Sequence, residues 1–230
     1  MAKQGYHHGN LRQALVDAAL KLIAERGPVG FTLSEAAKDA GVTPAAVYRH
    51  FAGREDLIAE CARQGFAIFA DLLEHAWAGG KPSSLSAFGA VGRAYLAFAR
   101  RFPGHYMAMF ESGLPRAGHP DLAAQARRAE EAMLRATEAL TAAIPPARRP
   151  PAAMVAAHVW AMSHGVVELH ARAAPGAAAP FEPEALLESG IGIYLRGLGL
   201  LPPDSRKDIR WNWHGASPIC AAPAAMAGSC

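Results

Sequence analysis

Apolar side chains recur at intervals of three and four residues along most of the chain, the period of a helix that is buried on one side. The first run covers residues 9–26, and its apolar positions are Leu11, Leu15, Ala18, Ala19, Leu22 and Ile23. Similar runs follow at residues 54–77, 83–101, 104–111, 121–144, 152–173 and 182–201. Together with two short helices between residues 32 and 51, the pattern predicts an all-α fold of about nine helices.

The two short helices have clear start and stop signals. Thr32 and Glu35 have the spacing of a capping box, which begins a helix. Gly41 predicts the left-handed end of that helix, because this conformation costs glycine nothing. Thr43 then stands at the cap of the next helix, and Pro44 at its first position. The sequence therefore predicts a helix, a tight turn and a second helix.

Small Ala37, Gly41 at the turn and apolar Val47 follow the helix-turn-helix pattern, in which the second helix lies in the DNA major groove. Val47 and Phe51 lie four residues apart and are expected to point inward. The polar or small positions left on the outer side are Thr43, Ala45, Ala46, Tyr48, Arg49 and His50. The alternative interpretation is an ordinary helical hairpin within a bundle.

Composition adds modest support for nucleic-acid binding. Of the 230 residues, 51% are hydrophobic, and alanine is abundant, which favours helices. Residues 1–54 hold seven Lys and Arg against four acidic residues, an excess equal to the net charge of +3 of the whole chain. The basic excess therefore lies with the predicted DNA reader, although it is too small to prove DNA binding.

The cysteines and the hydrophobic runs bear on compartment. Cys61, Cys220 and Cys230 are far apart and odd in number, which predicts neither a disulfide framework nor a metal cluster. No run approaches the ~20 apolar residues that span a membrane. The N-terminus lacks the apolar run of a signal peptide. We therefore expect a soluble cytoplasmic protein without membrane association.

The N-terminal quarter resembles the DNA-binding domain of the TetR family of transcriptional regulators. The shared features are the first helix, the Phe31-Thr32 entry, the Gly41-Val42 turn, the Tyr48-Arg49-His50-Phe51 segment, and the basic Arg54 before Asp56-Leu57. Tyr6-His7-His8-Gly9-Asn10 and Trp160-Ala161-Met162-Ser163-His164-Gly165 are similar to one subgroup, with a Trp-x-x-x-His-Gly C-terminal domain. The resemblance covers roughly residues 5–200.

The resemblance implies the following DNA-binding residues: Thr32, Thr43, Pro44, Ala45, Tyr48, Arg49, His50 and Arg54. Hydroxyls and free N–H groups at helix starts suit phosphate oxygens. Tyr48 and His50 occupy backbone-contact positions, and Arg49 is the best candidate for reading a guanine, although it could equally contact phosphate. Ala45 could offer only apolar contact.

The resemblance also implies a homodimer that binds a palindromic operator, with the last two helices forming a four-helix interface. Gly190, Gly192 and Gly197 would allow close packing there, internal core packing being the alternative. A pocket for a small apolar or aromatic effector would be lined by Phe66, Phe69, Tyr95, Met107, Phe110, Met133, Trp160 and His164. Each of these could instead be plain core. Effector binding would release DNA, which implies a repressor.

The sequence gives little support for an enzymatic site or a metal site. His164 and Glu168 lie one helical turn apart, but no third metal ligand is evident. No nucleophile elbow or phosphate-binding glycine loop is present in the sequence. We therefore expect no cofactor, no metal and no enzymatic activity. Two alternatives stay open: a helical small-molecule-binding protein or enzyme whose N-terminal unit does not read DNA, and an activator.

The predicted domain organisation has four parts. Residues 1–8 form an N-terminal arm, and residues 9–54 form the DNA-binding domain, with the helix-turn-helix motif at about 32–51. Residues 55–201 form the effector-binding and dimerisation domain. Residues 202–230 lack a helical period and are expected to be a disordered tail.

Overall fold

The structure is a computed structural model that describes residues 8–80, 83–171 and 181–202. These residues form nine α-helices and two short 3-10 turns, and contain no strand. The all-α prediction is confirmed. The helices are α1 (His8–Arg26), α2 (Leu33–Asp39), α3 (Pro44–Val47), α4 (Arg54–Gly79), α5 (Ser84–Arg101), α6 (Pro103–Phe110), α7 (Pro120–Thr141), α8 (Ala152–Ala171) and α9 (Pro183–Gly197).

The predicted caps of α2 are present. The Thr32 hydroxyl accepts a hydrogen bond from the Glu35 N–H at 3.2 Å, and the Glu35 carboxylate accepts one from the Thr32 N–H at 2.8 Å. At the other end, Gly41 has a φ of +71°. The N–H of Gly41 donates to the Lys38 carbonyl and the N–H of Val42 to the Ala37 carbonyl, which together form a Schellman motif.

Helix α3 is shorter than predicted. It ends at Val47, and residues 48–50 continue as a turn. Thr43 stands at the cap position as expected, but its side chain makes no capping hydrogen bond, so that part of the prediction is wrong. Pro44 at the first position and the burial of Val47 and Phe51 hold α3 in place instead.

The long helix α4 is central to the packing of the other helices. Its N-terminal part packs on α1, and further along it packs against α5, α6 and α7. Helix α6 also packs against α1. A Cβ at Gly104 in α6 would lie 2.3 Å from the carbonyl oxygen of Leu20 in α1, so glycine allows this close approach. The DNA-binding unit and the larger helical unit are thus in direct contact.

The later boundaries differ from prediction by a few residues. Helix α7 ends at Thr141 rather than at residue 144. Helix α9 ends at Gly197 rather than at residue 201, because Gly199 adopts a φ of +74° and the Leu200 N–H bonds back to the Leu195 carbonyl. Ser83 caps α5 as expected. The end of α8 beyond residue 171, the N-terminal arm through residue 7 and the tail from residue 203 lie outside the described residues.

Candidate functional site

The second helix of the motif presents the side chains that were expected to face DNA. We call Thr43, Pro44, Ala45, Tyr48, Arg49 and His50 the reading face. The first five are exposed and His50 is half-buried. Tyr48 is 62% exposed although it is aromatic. Val47 and Phe51, on the opposite side, are 0% and 1% exposed. The structure therefore leaves the residues of the reading face accessible, whereas Val47 and Phe51 pack inward.

The two threonines differ in what their hydroxyls do. Thr32 is engaged in the capping box, whose carboxylate also receives the Arg26 guanidinium at 2.8 Å. The hydrogen bonds from Thr32 and Arg26 lower the pKa of Glu35. Thr43 is exposed and its hydroxyl makes no capping bond. At this helix start the Thr43 hydroxyl is suited to a phosphate oxygen.

Arg54 has a structural role that the sequence did not predict. It is the first residue of α4, and its Nη1 lies 3.1 Å from the carbonyl oxygen of Val29 and 3.4 Å from that of Phe31. The guanidinium therefore holds the loop before α2 against the start of α4. Because a guanidinium has five N–H groups, the remaining donors stay compatible with a phosphate contact.

Inside the larger helical unit, side chains from four helices form an aromatic cluster, defined as Phe66, Phe69, Tyr95, Tyr106, Phe110, Trp160 and His164. Neighbouring ring centroids lie 4.7–6.3 Å apart, mostly edge to face. Six of these residues belong to the predicted effector set. The other two predicted residues, Met107 and Met133, pack in the same hydrophobic core.

The cluster contains one polar junction. Nδ1 of His164 lies 2.5 Å from the Tyr95 hydroxyl and 3.2 Å from the Tyr106 hydroxyl. Burial lowers the pKa of His164 and so favours a neutral ring, although the charge of Glu168 acts in the opposite direction. Burial also raises the pKa of both tyrosines. Nδ1 of His164 therefore connects the hydroxyls of Tyr95 and Tyr106 through hydrogen bonds at the centre of the cluster.

The sequence missed Tyr106 as a site residue. Tyr106 appeared only as part of a short apolar helix, and nothing in its spacing connects it with His164, which is 58 positions away. The sequence also missed an apolar groove of about 190 Å³ between α5 and α9, which is lined in part by Phe88, Leu187 and Ile191. Gly92 lines the same groove, where a larger side chain would reach toward Leu187.

The described part of the chain gives no support for two other kinds of site. No group of three or more His, Cys, Asp or Glu side chains among the described residues is placed to hold a metal ion. None of the described helices is long and apolar enough to cross a membrane. His170, two positions after Glu168, has Nδ1 and Nε2 within hydrogen-bond distance of the carbonyls of Val166 and Phe181.

These features define an all-helical protein with an N-terminal helix-turn-helix, and sequence comparison gives its family. Residues 15–61 match the family model of bacterial regulatory proteins of the tetR family. Residues 88–194 match the model of the tetracyclin repressor-like C-terminal domain. The chain belongs to the TetR family of transcriptional regulators.

A curated relative matches the N-terminal unit alone. The HTH-type transcriptional regulator BetI of Rhizobium meliloti (strain 1021) is 47% identical over 47 residues, which are 20% of this chain and 23% of that protein. The chain thus matches about a quarter of the length of this relative. The likeness therefore concerns the DNA-binding unit and leaves the effector open.

Solved structures share the whole fold. A protein of unknown function from Rhodococcus sp. RHA1 has a TM-score of 0.71 and 26% identity, covering 85% of this chain and 98% of that one. AibR, solved in complex with isovaleryl coenzyme A and operator DNA, has a TM-score of 0.61 and 16% identity, covering 80% and 97%. The second likeness is one of fold alone.

Proposed function

We propose that this protein is a homodimeric repressor that binds a palindromic DNA operator and is released by a small apolar or aromatic effector. The observation that carries the proposal is the reading face: Tyr48 and Arg49 are exposed in the turn that directly follows α3, whose Val47 is fully buried. A large aromatic side chain exposed beside a cation at the end of a packed helix is suited to a groove of DNA.

Within this proposal each reading-face residue has a role. Thr43 contacts phosphate through its free hydroxyl, and Tyr48 and His50 contact the DNA backbone. Arg49 reads a guanine or contacts phosphate. Pro44 and Ala45 give only apolar contact. Thr32 and Arg54 contribute phosphate contacts from helix starts that their own hydrogen bonds hold in place.

The proposed dimer forms through α8 and α9. Both helices carry large apolar side chains in the open: Met154 is 56% exposed, Leu169 65% and Ile193 55%. Among the described residues, no atom outside the local backbone lies within 4 Å of a Cβ built at Gly165 or Gly197, so these positions leave room for a second copy. A two-fold dimer of this kind would present two reading faces to the two halves of a palindrome.

The proposed effector binds among the rings of the aromatic cluster. Because Phe69, Tyr95 and Trp160 contact one another, a ligand has to displace at least one ring to enter. Such a displacement changes the packing of α4 against α8, and α4 leads directly to the reading face. The effector releases DNA if it favours the displaced arrangement, since only differential affinity shifts such an equilibrium.

We further propose that the chain belongs to the Trp-x-x-x-His-Gly subgroup and acts in the cytoplasm without catalytic activity or a cofactor. The subgroup assignment is supported by the packing of Trp160 and His164, the first two residues of that motif, in one aromatic cluster. The complex of AibR with a coenzyme A ester and operator DNA illustrates that this fold can bind both ligands in that protein.

Binding measurements with variants test the proposal. Purified wild-type protein should bind a palindromic duplex with an affinity that falls steeply as salt rises. Tyr48→Ala and Arg54→Ala should each weaken binding, while circular dichroism shows that both remain helical. The assigned DNA-binding residues are wrong if both variants bind as tightly as the wild type at moderate salt. Reporter expression with and without the protein then decides between repressor and activator.

A further inference from the structure

Glu60, on α4, is a carboxylate buried under three donors. Its side chain is 8% exposed and lies 2.8 Å from the Arg12 guanidinium and 2.7 Å from that of Arg63. Gln64 donates a further hydrogen bond at 2.9 Å. Burial alone would raise the pKa of Glu60, but the hydrogen bonds from Arg63, Arg12 and Gln64 outweigh it and lower the pKa to about 2. Glu60 is therefore charged at any working pH.

Arg12 connects this carboxylate to Phe51, the residue that directly follows the reading face. Its guanidinium carbon lies 5.0 Å from the ring centroid of Phe51, within the range of a cation–π contact. Phe51 directly follows the turn that carries Tyr48 and His50, and it is 1% exposed. One side chain of α1 thus contacts both the long helix α4 and the residue that fixes the end of the reading face.

Arg12 is well suited to this role because a guanidinium is planar and has several donors. It can stack on an aromatic ring while it donates to a carboxylate, whereas a lysine ammonium offers a point charge without a plane. The Arg63 and Gln64 bonds hold the Glu60 carboxylate in one orientation, so the direction of Arg12 is also fixed. The network thus links α1 to α4 and to Phe51.

We propose that Glu60 and Arg12 are positioning residues for DNA binding, which fix the orientation of the reading face against α4 without contacting DNA. The inference rests on the proposed function, because it needs a DNA complex to act on. A change in the angle of α4 would then reach Phe51 and Tyr48 through Glu60 and Arg12 in turn.

The test measures DNA affinity and its salt dependence in full-length variants, with the palindromic duplex recovered from a random pool as the probe. Glu60→Gln has the same shape but is neutral. We expect it to lower affinity about tenfold. Glu130→Gln is the matched control, since it makes the same charge change at an exposed carboxylate that pairs with Arg116. We expect the Glu130→Gln variant to bind like the wild type.

The salt series separates positioning from direct contact. A positioning residue leaves the slope of log affinity against log salt unchanged, whereas loss of a phosphate contact reduces the slope by about one. We expect Arg12→Gln to weaken binding with an unchanged slope. Arg12→Lys should bind DNA no better than Arg12→Gln, because lysine restores the positive charge but not the planar guanidinium group. The double variant Arg12→Gln with Glu60→Gln should lose much less affinity than the product of the two single fold-changes, because both changes break the same contact.

Three results would overturn the inference: Glu60→Gln binding as tightly as Glu130→Gln, Arg12→Gln reducing the slope by about one, or full rescue by Arg12→Lys. If Glu60→Gln fails to fold, the Arg12 variants alone decide, because that side chain is 47% exposed and its loss is tolerated more easily. Failure of the wild-type protein to bind any duplex would instead contradict the proposed function.

Discussion

The hydroxyl of Tyr95 and Nδ1 of His164 lie 2.5 Å apart, although the two residues are 69 positions apart in the chain. This hydrogen bond joins α5 to α8 in the middle of the aromatic cluster. Together with the Tyr106 hydroxyl, which lies 3.2 Å from the same nitrogen, it gives the aromatic cluster a polar centre. A ligand that displaces the Tyr95 ring must therefore also disturb the hydrogen bond to His164.

Removing the Tyr95 hydroxyl should cost stability. In Tyr95→Phe the partly buried Nδ1 of His164 loses its shorter hydrogen bond, and we expect the free energy of unfolding to fall by about 1 kcal/mol. Tyr106→Phe should cost less, because the Tyr106 hydroxyl is 3.2 Å from Nδ1 and Tyr95 stays in place. Urea denaturation of both variants measures the difference. Equal losses would contradict the assignment of Tyr95 as the principal hydrogen-bond partner of His164.

The two threonines of the helix-turn-helix should separate stability from DNA binding. Thr32→Ala removes one half of the capping box and should lower the free energy of unfolding by about 1 kcal/mol as well as weaken DNA binding. Thr43→Ala removes a hydroxyl that caps nothing, so unfolding should change by less than about 0.5 kcal/mol while DNA binding weakens. Urea denaturation and duplex titration of each variant test this. A large stability loss in Thr43→Ala would count against it.

The contact of α6 with α1 depends on a missing side chain. A methyl group at Gly104 would meet the backbone of Leu20, which cannot move aside cheaply. We therefore expect Gly104→Ala to lower the free energy of unfolding by about 1–3 kcal/mol. Gly118→Ala is the control, because no atom of the described residues, apart from its chain neighbours, lies within 4 Å of a Cβ there. Similar denaturation midpoints for the two variants would show that α6 does not pack so closely.

His170 should make stability depend on pH. Its Nδ1 and Nε2 lie 2.8 Å and 3.0 Å from the carbonyls of Val166 and Phe181, and only a protonated ring donates to both. These hydrogen bonds, to Phe181 first, raise the pKa of His170. Arg100 and Glu184 line the space around the ring, and Glu182 and Glu184 also favour its protonation.

The sign follows from the raised pKa. The stabilisation by protonated His170 is fully present below the pKa of about 6.5 that the ring has in the unfolded chain. It is lost as pH rises through the higher pKa of the ring in the folded protein. Thermal midpoints should therefore fall more for the wild type than for His170→Gln as pH increases from about 6 to 8. The effect should be small, because the ring is only half-buried and solvent weakens its interactions. Parallel pH profiles would mean that the ring does not bind both carbonyls in solution.

Local signals in the sequence were sufficient for most of the helix boundaries. The Thr32 and Glu35 capping box, the left-handed Gly41 and the Ser83 cap each act within a few residues, and all three are present. The missed end of α9 also has a local cause, since Gly199 takes the left-handed conformation that Gly41 takes earlier. Because α9 already contains Gly190, Gly192 and Gly197, the sequence did not single out Gly199 as the residue that ends the helix.

Contacts between distant residues could not be predicted in this way. The periodicity places Tyr95 and Trp160 on buried faces but does not say which rings meet. It gives no sign that Arg12 reaches Glu60 and Phe51, or that Arg54 donates to the Val29 carbonyl. These contacts depend on how α1, α4 and α8 cross, which is decided by packing across the whole molecule.

The central claim is that the protein reads DNA, and selection from a random pool tests it most directly. Full-length protein is mixed with random duplexes, and the bound fraction is sequenced over several rounds, with Tyr48→Ala treated in parallel. We predict enrichment of one palindrome by the wild type and much weaker enrichment by the variant. Ligand binding by a folded protein that enriches no sequence would contradict the claim and favour a small-molecule-binding protein whose N-terminal unit merely packs.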